Sequence, residues 1–330
     1  MRTSIAMATY NGAKYLQAQL NSFLAQTRLP DELIITDDRS TDETLDIIRQ
    51  FAESAPFPVV WSQNEQNLGY GGNFNAALQK TTGDLVFLSD QDDVWFPEKI
   101  ERMVAFAESE PKALVLMNDA ELTDAALCST GLTKLGQIRS AGFSEMNFVM
   151  GCCAVVRRDL LDLILPIQPE IRGHDNWIVS IGDGLRRKRV IPEVLQYYRR
   201  HGDNESQCIV NRTKRVTAWS IFCEVLSEKM RRLNQSSVYD KSVQISSKSL
   251  YEYILEWVPE AADHAPSWLK QDFNRFYEEL IILVKVMRTR EYIRTLPLSK
   301  RAIKAISLWQ DGGYRYFSGV KSACRDVFMW

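Results

Sequence analysis

The sequence predicts an α/β protein: an open, mixed but mostly parallel sheet flanked by helices, Rossmann-like in its first half, with a helical C-terminal subdomain. Three observations carry this reading. Short apolar or β-branched runs alternate with segments of helical spacing across residues 1–100. Such alternation implies parallel strands joined by right-handed helical crossovers. Beyond Lys214 the alternation gives way to helical periodicity alone. The chain is therefore divided into an α/β domain, 1–212, and a helical subdomain, 213–330, the change of character falling near 205–218.

The first strand is "TSIAMAT" (3–9), the second "ELIITDD" (32–38), the third "FPVVWS" (57–62) and the fourth "DLVFLS" (84–89). Between the first two, Tyr15, Leu16, Leu20, Phe23 and Leu24 recur at threes and fours, as Leu45, Ile48 and Phe51 do after the second. The runs "ALVLMN" and "NFVMGCCAVVRR" extend the sheet with later strands of mixed direction. In the tail, "AWSIFCEVLSEKMRRL", "SLYEYILEWV" and the stripe Phe273, Phe276, Tyr277, Leu280, Ile281, Val284 and Met287 read as helices.

With 330 residues, 45% hydrophobic composition and a formal net charge of -2, the chain can bury a large core and offers no overall charge for nucleic acid. The six cysteines show no C-x-x-C spacing, which excludes a zinc ribbon or redox pair and makes structural thiols the expectation. "MRTSIAMATYNG" turns polar before a signal-peptide core accumulates, and no run approaches the roughly 20 apolar residues of a membrane span. A cytoplasmic protein is expected. The final segment mixes Arg and Lys with Trp, Tyr and Phe, so three roles stand open for the tail: packing on the α/β domain, self-association into a homo-oligomer, or peripheral contact with the cytoplasmic face of an inner membrane.

Each strand end is polar: "TYNG" after the first, "DDRSTDE" after the second, "SDQDD" after the fourth. Ligands of open α/β sheets bind beyond these carboxyl ends. Asp90, Asp92 and Asp93 crowd the last of them, where their repulsion calls for a divalent cation. The plainer alternative is a solvated turn, with a carboxylate capping the helix that Pro97 begins and Ser40 with Glu43 forming a capping box.

The blocks "ATYNGAKYLQAQLNSFLAQT", "ELIITDDRSTDET", "NEQNLGYGGNFNAAL", "GDLVFLSDQDDVWFPEKI", "VMGCCAVVRRDL", "HDNW" and "YYRRHGDNES" resemble, in order, those of the family 2 glycosyltransferases, inverting enzymes of the GT-A fold. The resemblance covers about the first 210 residues. "DQDDVW" is similar to the bacterial branch rich in rhamnosyltransferases of O-antigen and capsule synthesis.

The resemblance implies roles for particular residues. Thr9, Tyr10, Asn11, Asp38, Gly69, Asn75 and Asp90 would bind the nucleotide sugar. A carboxylate at Asp38 accepts the N3–H of uracil or thymine, which favours UDP or dTDP donors, dTDP-rhamnose first. Asp92, with His201, would hold Mg²⁺ or Mn²⁺, and Asp175 would be the general base. Gly151, Cys152, His174 and Trp177 would form the acceptor pocket for a saccharide or undecaprenyl-diphosphate-linked oligosaccharide. Asp93 either assists through water or caps the next helix; Arg199 and Arg200 flank His201. The chain departs from the family pattern twice: Phe74 stands where many members carry Arg before Asn75, and His174 where most carry Glu before Asp175. UDP-hexose or UDP-N-acetylhexosamine transfer is the near alternative. A sugar-nucleotide nucleotidyltransferase and a non-catalytic scaffold are the alternatives of other classes; against the former, no Gly-rich triphosphate loop lies near the N-terminus.

Overall fold

The computed structural model describes residues 1–145, 148–171, 173–202, 209–221, 249–317 and 319–328. It divides into two compact units, Met1–Ala218 and Trp219–Trp330. The first alternates strand and helix as its sequence predicts: β1 (Thr3–Thr9), α1 (Ala13–Leu24), β2 (Glu32–Asp37), α2 (Thr44–Ser54), β3 (Val59–Gln63), α3 (Gly69–Leu78) and β4 (Leu85–Ser89). There follow β5 (Val94–Trp95), α4 (Lys99–Ser109), β6 (Val115–Thr123), β7 (Ser129–Thr133), α5 (Lys134–Ser140), β8 (Ala154–Arg157), α6 (Arg158–Ile164), α7 (His174–Gly184) and β9 (Lys188–Arg199).

The sheet runs β3-β2-β1-β4-β8-β6-β9-β5, with β7 paired to β6. Its β3-β2-β1-β4 part is parallel throughout; β8 is antiparallel to β4 and β6, and β9 returns parallel to β6. Strand order reverses at β1, with β2 on one side and β4 on the other, so the carboxyl ends of β1 and β4 form the switch-point crevice. Beneath that crevice Ile5, Met7, Leu33, Ile35, Leu85 and Phe87 pack against Leu16, Leu20 and Phe23 of α1, all within 1% of full burial. This apolar layer makes the rim a rigid platform.

In the second unit α8 (Leu250–His264) opens with a Ser249–Glu252 capping box, and α9 (Ser267–Thr295) and α10 (Leu298–Gln310) follow Pro266 and Pro297. The last helix is α11 (Val320–Phe328). The α9 stripe buries Phe273, Phe276, Leu280 and Val284, while Tyr277 and Ile281 at its edge are exposed. Most of "AWSIFCEVLSEKMRRL" lies outside the described residues. Among the described residues, no helix is long and apolar enough to cross a membrane.

Two capping expectations fail. Ser40 caps nothing: its hydroxyl donates to Asp37 and accepts the Asn11 N–H, and α2 starts after Glu43 with Asp42 Oδ1 accepting from Thr44. The N-cap of α4 is Glu98, without a side-chain bond, rather than a carboxylate of the acidic run.

Candidate functional site

Two loops are knitted together where β1 and β2 end. Asn11 adopts a left-handed backbone (φ 47°), its amide oxygen accepts from Thr41 N at 2.8 Å, and Gly12 N donates to Thr44 Oγ1. Thr9 is 1% exposed and its hydroxyl donates to Asp37, so it frames the crevice from within and leaves Tyr10, 50% exposed, as the member of the pair facing outward. Gln91 pins this edge to the acidic loop by accepting from Tyr10 N (2.8 Å) and donating to Tyr10 O (2.9 Å). A Cβ at position 12 would stand 2.2 Å from Gln91 Oε1, so a larger residue there would have to displace the Gln91 amide from Tyr10.

Asp38 is buried, and its Oδ1 accepts from Leu68 N (2.8 Å) and Asn64 Nδ2 (2.9 Å). The carboxylate thus holds the loop that launches α3, and Oδ2 is the oxygen left for a ligand donor. Gly69 begins α3 with φ at 71°, a conformation glycine adopts without strain. Asn75 does not face this crevice: both ends of its amide pair with the backbone of Ile167, at 2.9 and 3.3 Å. Asn73 takes the inner position, donating to Thr9 O and accepting from Asn64.

The acidic loop between β4 and β5 places its three carboxylates in three settings. Asp92 Oδ2 lies 2.8 Å from His201 Nε2. Asp93 is fully buried, accepting from Gln196 Nε2 (3.0 Å) and Arg199 N (3.1 Å), so it ties the loop to β9 and caps no helix. Burial, then Asp92 and Asp175, push the Asp90 carboxyl up to about 7; burial with Asp92 and Asp90 drives Asp93 up as well. Arg199 donates to Asp92 O (2.7 Å) and Ala125 O (2.8 Å), fixing the loop backbone, while Arg200 reaches Tyr198.

Sequence reasoning missed three supporting side chains. Tyr15 of α1 lies with its ring centroid 4.7 Å from that of His201 and under the Arg199 guanidinium at 4.6 Å. Lys99, fully buried in α4, donates to Cys152 O (2.9 Å) and to Gln196 Oε1, and sits over the Trp95 ring. Gln196 therefore turns its amide nitrogen toward Asp93. The "PEKI" lysine was legible only as a helix residue; a buried cation near three carboxylates has no sequence signature of its own.

The opposite wall is the turn 151–153 and the start of α7. Asp175 is the second residue of α7, close enough to Asp90 to raise its carboxyl, with Oδ1 accepting from Asn176 N at 2.8 Å. A Cβ on Gly151 would lie 3.2 Å from His174 Nε2 and 3.4 Å from Asp175 Cβ, so glycine allows this close approach. Cys152 is buried beside Asp90 and Asp93; burial pushes its thiol up, which keeps it a packed thiol rather than a nucleophile. His174 is 3% exposed and stacks on Phe74, and burial pulls its imidazole down to about 4. Trp177, expected at the acceptor, is 2% exposed and supports α7 from within the core instead.

Asp92 and His201 fit a hard divalent cation. Octahedral ligands about 2.1 Å from a metal stand roughly 3 Å apart when adjacent, close to the 2.8 Å observed between them. Asp90, Asp93 and Cys152 also bring ligand atoms within 4.8 Å of one another. That group suits such a cation less: Asp93 is engaged by two donors and Cys152 offers a soft, protonated sulfur. The crevice thus joins a buried carboxylate, a carboxylate–histidine pair and a second-wall carboxylate at one rim.

The family description "Glycosyl transferase family 2" matches residues 4–165. An uncharacterized glycosyltransferase of Nostoc sp. is 31% identical over 233 residues, covering 67% of this chain and 71% of its own length. The dTDP-rhamnosyl transferase RfbG of Shigella flexneri is 36% identical over 103 residues, 30% of this chain and 35% of that protein, so the chain spans about a third of it. Among solved structures, S. aureus TarS 1-349 in complex with UDP superposes with a TM-score of 0.53 at 19% identity, over 84% of this chain and 89% of that one.

Proposed function

The chain belongs to glycosyl transferase family 2, and we propose that it is an inverting, metal-dependent enzyme that moves a sugar from a dTDP- or UDP-linked donor to a saccharide or lipid-linked oligosaccharide in bacterial surface-polysaccharide synthesis. The observation that carries this reading is the meeting of Asp92 with His201 at 2.8 Å on one wall while Asp175 faces Asp90 from the other. Asp38, Tyr10 and Gly69 line the nucleotide side of that crevice. A divalent cation held by Asp92 and His201 would stabilise the charge that builds on the departing diphosphate. Asp175 accepts the proton of the acceptor hydroxyl as its oxygen bonds the anomeric carbon and the bond to the nucleoside diphosphate breaks. Attack from the face opposite the leaving group inverts the anomeric centre.

The dTDP-rhamnose preference rests on the "DQDDVW" block and on the named activity of RfbG; UDP-hexoses and UDP-N-acetylhexosamines remain the alternative. On α10 the exposed Leu298, Ile303 and Ile306 beside Lys300 and Lys304 favour peripheral contact with an anionic membrane surface. Co-sedimentation with anionic vesicles, abolished in Ile303→Asp/Ile306→Asp, checks that part.

Calorimetry with UDP, dTDP, GDP and CMP, each with Mn²⁺, Mg²⁺ or EDTA, tests the central reading. Binding of UDP or dTDP that weakens at least tenfold in EDTA and in Asp92→Ala is expected, since a ligand of the native state also raises its melting temperature. Asp175→Asn should bind the same nucleotide and lose about 10²- to 10⁴-fold in turnover. Release of pyrophosphate from a nucleoside triphosphate and sugar phosphate would favour a nucleotidyltransferase instead.

A further inference from the structure

The two positions at which this chain departs from the family pattern touch one another. Phe74 and His174 stack with ring centroids 4.0 Å apart and 22° between planes, each 3% exposed, and Tyr70 meets the imidazole edge-on at 5.9 Å. Tyr70 and Phe74 are four residues apart on α3, so one face of that helix cradles the ring. His174 is the first residue of α7 and Asp175 the second. Among the described residues neither ring nitrogen of His174 has a hydrogen-bond partner, and the contacts that hold the side chain are aromatic. The same helix begins in the loop gripped by Asp38.

We infer that Phe74 and His174 form a positioning pair: their stack ties the nucleotide-side helix α3 to the first turn of α7 and so sets Asp175 against the donor. The inference rests on the reading of Asp175 as general base. A backup tie exists one residue on, where Asn75 holds the Ile167 backbone, but that bond lies away from the α7 start. The imidazole acts here as an aromatic plate, its neutral form favoured by burial.

The test measures nucleoside diphosphate release from UDP-glucose, UDP-N-acetylglucosamine and dTDP-rhamnose with Mn²⁺, together with calorimetric binding of UDP and dTDP. Phe74→Leu and His174→Ala should keep nucleotide affinity within about threefold and lose tenfold or more in kcat. The ring-retaining His174→Phe and Phe74→Tyr should keep kcat within about threefold, a rescue that a nitrogen-based role would not allow. In the Asp175→Asn background, Phe74→Leu should lower the residual rate less than twofold, because the two changes act on one step. Unchanged kcat in Phe74→Leu, or His174→Phe as slow as His174→Ala, overturns the pair while leaving the base assignment standing. Full turnover by Asp175→Asn, or no release from any donor, removes the base assignment and the pair with it.

Discussion

Asp93 and Asp326 are both fully buried carboxylates, and their surroundings differ in kind. In the C-terminal unit Asp326 accepts from Arg290 (2.6 and 3.2 Å), Arg294 (2.9 Å) and the Tyr314 hydroxyl (3.0 Å). Burial alone would raise its carboxyl, but these bonds hold it below the ordinary value. Asp93 has two acidic neighbours, Asp90 and Asp92, and one buried ammonium, Lys99, which attracts it across space while bonding to Gln196, the donor to Asp93. Two cations close one cluster, whereas three carboxylates leave the other short of positive charge. A balanced cluster is architecture; an unbalanced one at a sheet's switch point is what the proposed donor and cation site would require.

The largest effect expected from this contrast is on stability. Asp326→Ala strands the buried Arg290 guanidinium, while the exposed Arg294 can turn to water, and should cost about 3 kcal/mol. Chemical denaturation of the full chain should show a destabilised C-terminal unit, with UDP or dTDP affinity of the first unit unchanged. A loss under about 1 kcal/mol would mean that Arg290 and Arg294 find water or other partners, and the cluster would lose its architectural standing.

The sequence carried the strands β1, β2 and β4 almost to the residue, because fully buried parallel strands read as unbroken apolar runs. Its order along the chain also grouped the acidic loop with His201 and Asp175, and the structure places His201 beside Asp92 and Asp175 near Asp90. What the sequence did not carry is direction. Asn75 and Asn73 are both polar residues of one helix, and only the packing of α3 decides that Asn75 turns to Ile167 while Asn73 turns to Thr9. Trp177 looks like a sugar platform in "HDNW" until α7 turns it into the core. Nor could spacing reveal that Phe74 and His174, a hundred residues apart, stack on one another.

A second expected effect, about 3 kcal/mol at its limit, separates the buried imidazole from the carboxylates. His174 has a pKa of about 4 in the fold against about 6.5 unfolded, with Asp175 the charged group that opposes the shift. Between these values the unfolded chain binds more protons. Stability present above pH 6.5 is therefore lost as pH falls toward 4. His174→Phe should flatten that part of the stability curve relative to wild type, read as the difference between the two proteins' melting profiles. Parallel profiles would show that the ring is already hydrated, and would loosen the stack with Phe74.

The smallest effect is the one whose sign is most telling. Removing a charge from a balanced cluster destabilises, as at Asp326; removing one from a like-charged cluster should do the reverse. Asp90 is partly exposed, and water screens part of its repulsion with Asp92 and Asp175, so Asp90→Asn at pH 8 should raise stability by only about 1 kcal/mol. The same variant should lose nucleotide binding in the presence of Mn²⁺, because the carboxylate that strains the free protein is the one a bound donor would use. Stabilisation with lost binding marks a charge kept for function. Destabilisation would mean that Lys99 and its hydrogen bonds already neutralise the loop, and the two clusters would then be alike.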